Sequence, residues 1–335
     1  MFLSKADSAK IKKIAVITLS NIGDIIVSFL VLDILREKFP NAPLSVVVWP
    51  KGESILRGNP EIEEVFVFDK NQPLVKTIVF VNRLRGHHFD LAVDLRNTAI
   101  PFLIGARYAA PPFLRNDPAI HMKARHLNRL RSVVDFEDRE YPKVALHVSE
   151  PDKKYVNELI RVRVGSGRKF VIICPSAADH RKRYSEEGFA ELADRLAKSY
   201  GVAAVFLGDK GEGSEVAGRI IAKMKQPAVD LSGQTNLKQL SELLRRSSLA
   251  IVNDSGPMHI ASYLDVPVMT LFGPTDPVVS APWGKTGYFI KKDGQCQACE
   301  SGREDLEHHC MKSITSDEIF NAVIYKNGQF TFPKQ

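Results

Sequence analysis

Four short stretches of the chain hold residue types that could do chemistry. In Ser20-Asn-Ile-Gly-Asp24, a carboxylate stands directly before apolar residues recurring at helical spacing (positions 26, 27, 30, 31, 34 and 35). A glycine permits a sharp strand-to-helix turn, and a carboxylate at a helix N-terminus is held ionised by the dipole. Asp24 so placed can take a proton from a hydroxyl as a general base; a plain helix cap is the competing reading. In Asn253-Asp-Ser-Gly-Pro-Met-His259, Pro257 suits the first helical position. The backbone N–H groups of Ser255, Gly256 and the first turn would then face a bound phosphate. His259 reads equally well as a ligand contact and as a packing histidine.

The third stretch, Ala178-Asp-His-Arg-Lys-Arg-Tyr184, could bring Lys182 or Arg183 onto a leaving phosphate as a charge-assisted partner. It could equally be a solvated basic loop. The fourth, Phe272-Gly-Pro-Thr-Asp-Pro277, is a turn whose own residues dictate no role. Cys296-x-x-Cys299 and Cys310, beside His308 and His309, have the types that zinc or iron needs. The second half lacks a clean C-x-x-C, so reduced thiols compete with a metal site. Cys174 reads as core.

The elements that must position these residues follow from periodicity. Positions 14–19 form a short β-rich apolar run, followed by a helix that Pro40 ends, and 44–49, 65–68 and 91–95 read as further strands. The pattern restarts after Arg168, with strands at 169–174, 202–207, 249–252 and 267–272 and helices at 187–199, 237–245 and 257–264. Such alternation predicts an α/β fold of two Rossmann-like halves with parallel sheets. The charged stretch 148–168 has no clear strand, which puts the division at 1–160 and 161–335. In open α/β sheets ligands bind at the carboxyl ends of strands, and all four stretches fall there. No strand is followed by G-x-G-x-x-G, which argues against a dehydrogenase.

Composition narrows the class. The 335 residues suffice for two cores, and 44% hydrophobic with 25% charged residues is ordinary for a globular chain. Only 4 cysteines argue against a secreted disulfide scaffold. No run approaches the ~20 apolar residues of a membrane span, and positions 1–13 lack an apolar signal region. A cytoplasmic location is expected. The 46 Lys and Arg against 39 Asp and Glu leave +7, with clusters at 121–131, 161–163 and 180–183. That charge suits a polyanionic partner: nucleic acid, an anionic lipid surface or a nucleotide sugar.

Together these motifs resemble glycosyltransferase family 9, the ADP-heptose:lipopolysaccharide heptosyltransferases. The resemblance runs from Lys13-Ile-Ala-Val-Ile-Thr-Leu-Ser-Asn-Ile-Gly-Asp24 through Gly58-Asn-Pro-Glu-Ile-Glu-Glu-Val65, Phe89-Asp-Leu-Ala-Val-Asp94 and Lys182-Arg-Tyr-Ser-Glu-Glu-Gly-Phe189. It continues in Leu231-Ser-Gly-Gln-Thr-Asn-Leu237, Asn253 to His259 and Leu271-Phe-Gly-Pro-Thr-Asp276.

The resemblance implies a GT-B fold, with an acceptor domain and a nucleotide-sugar domain facing across a cleft and the extreme C-terminal segment packing back on the first domain. It implies an inverting transferase that moves heptose from ADP-heptose to the lipopolysaccharide inner core. Asp24 would be the catalytic base and Lys182 would neutralise the departing ADP. Asp254, Ser255, Gly256, His259, Arg183, Thr275 and Asp276 would line the donor site. Ser20, Asn21, Gly23, Lys123, Arg125 and Arg129 would hold a lipid A-linked acceptor at the inner membrane, with peripheral association. No cofactor is needed if cations and a helix dipole carry the charge, and neither nucleic acid nor an obligatory protein partner is implied. The loop usually reading Lys-Arg-Trp-Pro is Lys182-Arg-Tyr-Ser185 here, and three C-terminal cysteines stand where many relatives have four. Another nucleotide sugar or acceptor on the same scaffold, or a non-catalytic nucleotide-binding or polyanion-binding protein, are the alternative functions.

Overall fold

A computed structural model describes residues 10–69, 71–112, 119–292, 296 and 309–333. The chain forms two compact units, Met1–His147 and Val148–Gln335.

The first unit runs β1 (Ile14–Ile17), α1 (Ile22–Lys38), β2 (Leu44–Val48), α2 (Pro50–Leu56), β3 (Glu64–Val67), α3 (Leu74–Gly86), β4 (Leu91–Asp94), α4 (Ile100–Leu103), β5 (Tyr108–Ala109) and α5 (Met122–Arg131). Its sheet has the order β3-β2-β1-β4-β5, and the pairs are parallel, with Ile14 aligned between Leu44 and Leu91. β1, β2 and β4 are buried along their whole length, as a parallel sheet covered on both faces requires.

The second unit runs α6 (Glu150–Leu159, continued by a π-turn at Ile160–Val164), β6 (Phe170–Cys174), α7 (Glu186–Tyr200), β7 (Ala203–Phe206), α8 (Glu212–Lys223), β8 (Ala228–Asp230) and α9 (Leu237–Arg246). It continues with β9 (Leu249–Asn253), α10 (Gly256–Tyr263), β10 (Val268–Phe272), α11 (Pro277–Ser280), β11 (Gly287–Lys291), α12 (Ser316–Ala322) and the hairpin β12 (Ile324–Lys326) and β13 (Gln329–Thr331). The parallel order is β11-β10-β9-β6-β7-β8.

The strands predicted from periodicity form within a residue or two of their expected ends, because their apolar runs fill the interior. The helices α2, α5, α6 and α8 are not legible in the sequence, being short or charged, and α3 is not because its apolar residues lie on two sides instead of one. The units part at 147/148 instead of 160/161, for a physical reason. Buried Asp33 accepts the N–H groups of Val144 and Ala145 at 2.9 Å each, and Asn59 donates to both of their carbonyls. That straps the segment to the first unit. From Ser149, which caps α6, the chain belongs to the second: α6 packs on α9, and Asp152 accepts from Gln239 at 2.9 Å. The C-terminal segment packs in the second unit too, α12 lying against α7 and Phe320, Tyr325 and Phe330 surrounding Tyr200.

Candidate active site

Each sheet has one point at which the chain reverses its direction of travel across the strands. In the second unit this is between β6 and β9, so the loops leaving those two strands flank a crevice, the usual ligand position in such sheets. Lys182 stands on the first loop, in the short helical turn His180–Lys182, and Asp254 on the second. They meet: Lys182 Nζ lies 2.7 Å from Asp254 Oδ2, and Thr275 Oγ1 donates to the same oxygen at 2.7 Å. Three motifs far apart in sequence thus supply one cluster, with Asp254 nearly buried and Lys182 about one-quarter exposed.

Several residues hold that cluster in place. Buried Asn253 donates to the Pro175 carbonyl at 2.7 Å and accepts the Tyr184 N–H at 3.2 Å, fastening both ends of the β6 loop to the end of β9. Asp179 caps the turn by accepting the Arg181 N–H and forms a two-pronged pair with the Arg181 guanidinium. That pairing holds the Asp179 carboxyl at about 2. At Gly273 a side chain would meet the Arg181 carbonyl at 2.9 Å and Met311 at 2.8 Å, so the β10 loop approaches Lys182 only because position 273 has none. Tyr184 is buried over Gly188, with its ring edge-on to Phe189, and burial pushes its hydroxyl up to about 12. The aromatic of this motif is therefore a packing residue. Ser185, where proline is usual, caps α7 by accepting the Gly188 N–H at 3.1 Å.

Ser255 precedes α10 without capping it, its hydroxyl turning back to the Asn253 carbonyl at 3.2 Å. The first turn of α10 begins beside Asp254, with Pro257 in it. The other expected donor residues are placed differently. Arg183 pairs with Glu212 at the start of α8 and donates to the Ala177 carbonyl. Asp276 accepts the Val278 N–H and caps α11. His259 is buried one turn into α10, its ring 5.8 Å from that of Trp283.

In the first unit the reversal lies between β1 and β4. Asp24 stands in the first turn of α1, which follows β1, partly buried, with Asn21 Nδ2 3.3 Å from its Oδ2. Gly23 does not make the turn as expected: it is the second residue of α1, and the turn is made by 18–21. Beyond β4, buried Asp94 builds the neighbouring loop, accepting the N–H groups of Arg96 and Thr98 and the Thr98 hydroxyl. Arg96 stacks over Trp49 at 4.8 Å, and burial lowers its pKa against the pull of Asp94.

Arg129 corrects an expectation. It is 2% exposed, and its guanidinium donates to the Asp94 carbonyl, to Asn97 Oδ1 at 2.7 Å and to the Pro111 carbonyl at 3.1 Å. It cannot reach a solvent-borne acceptor; it holds the β4 loop, including Asn97 at φ 62°, beside the α1 turn. Arg125 donates to the Ile120 carbonyl and Lys123 is partly exposed.

Of the cysteines, Cys296 and Cys310 are buried in the core cluster with Met311 and Ile314. Cys299 and His308 lie outside the described residues. Among the described residues no three His, Cys, Asp or Glu side chains gather as metal ligands, and no helix is long and apolar enough to cross a membrane.

Residues 80–310 match the family model described as Glycosyltransferase family 9 (heptosyltransferase). Lys182, Asp254 and Thr275 fall inside the matched span and Asp24 before it. The lipopolysaccharide core heptosyltransferase OpsX of Haemophilus influenzae is 23% identical over 81% of this chain and 82% of its own. Among solved structures, a glycosyl transferase family 9 protein of Veillonella parvula superposes with a TM-score of 0.77 at 22% identity, covering 93% of this chain and 95% of its own. The ADP-heptose lps heptosyltransferase II of Escherichia coli gives 0.73 at 22% identity, covering 92% and 96%. These likenesses show a GT-B fold.

Proposed function

The chain belongs to glycosyltransferase family 9 and is a glycosyltransferase, and from that premise we propose that it transfers heptose from ADP-heptose to a lipopolysaccharide inner-core acceptor with inversion. The observation that carries the donor half of this reading is the Lys182–Asp254–Thr275 cluster beside the start of α10. A diphosphate there would meet the Lys182 ammonium and the amides of Ser255 and Gly256, at the positive end of a helix dipole.

Asp24 is the base in this scheme. Its carboxylate takes the proton of the acceptor hydroxyl, the oxygen attacks the anomeric carbon, and the bond to the phosphate oxygen breaks with its electron pair leaving on ADP. Lys182 and the α10 amides stabilise the charge that develops on that oxygen, where fixed positive groups are most effective. Asp254 keeps the ammonium aimed, and Thr275 steadies Asp254. The acceptor side is Ser20 and Asn21 with Lys123. The relatives' names concern lipopolysaccharide and lipooligosaccharide, which supports a lipid-linked, polyanionic acceptor, and with it work at the cytoplasmic face of the inner membrane by peripheral association.

Transfer from ADP-heptose to a deacylated inner-core acceptor, followed by ADP release and by mass of the glycan, tests the reading. Asp24→Asn should lower kcat by roughly 10²–10⁴ while ADP still binds. Undiminished transfer in that variant removes Asp24 as base. ADP binding without transfer from ADP-heptose by the native chain moves the donor to another sugar.

A further inference from the structure

Helix α3 is apolar on two opposite sides. Leu84 is buried, and Phe80 and Val81 pack against the core of the first unit, so one side of the helix faces inward. Leu74, Val75, Ile78 and Val79 stand on the other side and are 51–74% exposed. A helix with only one core to cover has no need of that second face. It is extended by α4, which packs beside α3 and exposes Phe102 (61%) and Leu103 (52%). An apolar hollow of about 180 Å³, lined by Phe102, Pro101 and Ala109 among others, adjoins it. Six large apolar side chains presented together by two adjacent helices mark an interaction surface.

The charge around this surface says what covers it. Positions 71–89 and 95–112 contain no Asp or Glu, while Lys76, Arg85 and Arg107 are exposed there. Helical spacing places Arg85 on the face of Ile78, seven residues on. A second copy of this chain seated symmetrically would bring like charges together. An anionic bilayer matches both features, taking the apolar side chains into the headgroup and acyl boundary and pairing the cations with lipid phosphates.

We infer that α3 and α4 form a docking surface for an anionic lipid bilayer, through which the first unit is held against the membrane that carries the acceptor. The choice of a bilayer rests in part on the proposed lipid-linked acceptor, so the experiment separates the two.

The full chain is sedimented with phosphatidylglycerol-containing vesicles and with phosphatidylcholine vesicles, without nucleotide sugar or acceptor. The native chain should prefer the anionic vesicles, and Leu74→Glu/Ile78→Glu and Lys76→Glu/Arg107→Glu should each weaken that binding about tenfold or more. Phe102→Trp should shift its emission to the blue on anionic vesicles only. Circular dichroism checks that each variant is folded. Native-like sedimentation of both double variants, or an unmoved Trp emission, overturns the inference. So does a native dimer in analytical ultracentrifugation that Leu74→Glu/Ile78→Glu dissociates, because the face is then a self-interface. Transfer to the soluble deacylated acceptor should be the same in Leu74→Glu/Ile78→Glu as in the native chain. If vesicle binding behaves as expected and no variant or native chain transfers, the transfer reading fails and the docking surface stands.

Discussion

Lys182 is useful only where its charge is aimed, and its aim comes from Asp254, which in turn receives the Thr275 hydroxyl. The three should therefore grade in their effect on kcat. Lys182→Met should cost about 10²–10³-fold, as loss of a fixed charge at a developing anion does; Thr275→Val, removing one hydrogen bond to a carboxylate, should cost about 10-fold. Steady-state kinetics at saturating donor checks the order, and a larger loss in Thr275→Val than in Lys182→Met contradicts the assignment. Arg129 behaves differently because its donors are spent inside the protein. Arg129→Met removes three hydrogen bonds from the interior and should destabilise the first unit by about 3 kcal/mol, seen as a lower Tm. Lys123→Glu should raise acceptor KM without moving Tm. The sequence showed a basic run at 121–131 but could not sort its members, because burial is decided by which side of α5 meets the sheet and α1.

At the scale of elements, the packing of α5 on α1 carries a pH dependence. His126 is buried, and desolvation lowers its pKa from the ordinary 6.5 to about 4; a hydrogen bond with the Val27 backbone opposes this, and Arg125 and His121 add to the lowering. The unfolded chain binds this proton more readily than the folded one, so stability is complete above pH 6.5 and falls as the pH drops toward 4. The full loss is about 3 kcal/mol. Urea unfolding at pH 7 and pH 4.5 should show a decline that is smaller in His126→Gln; equal declines in the two proteins would sink the explanation. Elements were read best where their residues are apolar and local. β1, β2, β6 and β9 announce themselves as runs that only an interior can take, and α10 by its Ser-Gly-Pro start. Charged α6 reads as a linker because its single buried residue, Val156, leaves too little periodicity.

Across the whole molecule, the excess of +7 is divided between exposed cations and cations with internal partners, and salt tells them apart. Raising ionic strength from about 0.05 to about 0.3 M shortens the screening length about 2.4-fold. Acceptor KM should rise several-fold while donor KM changes little, since Asp254 beside Lys182 is nearly buried. A donor KM that rises as steeply would mean that Lys182 is not the main donor contact. The sequence by itself determined the alternation of strand and helix, hence two parallel α/β sheets. It also determined the family, because ordered motifs at fixed spacing survive as local patterns. It placed Asp24, Lys182 and Asp254 at the carboxyl ends of strands, since that position follows from the order of elements along the chain. Only the tertiary structure decided that Lys182, Asp254 and Thr275 meet, that Arg183, Asp276 and Arg129 are occupied elsewhere, and that the units divide at 147/148. Those outcomes depend on strand order and on hydrogen bonds between residues dozens of positions apart, and no local pattern encodes either.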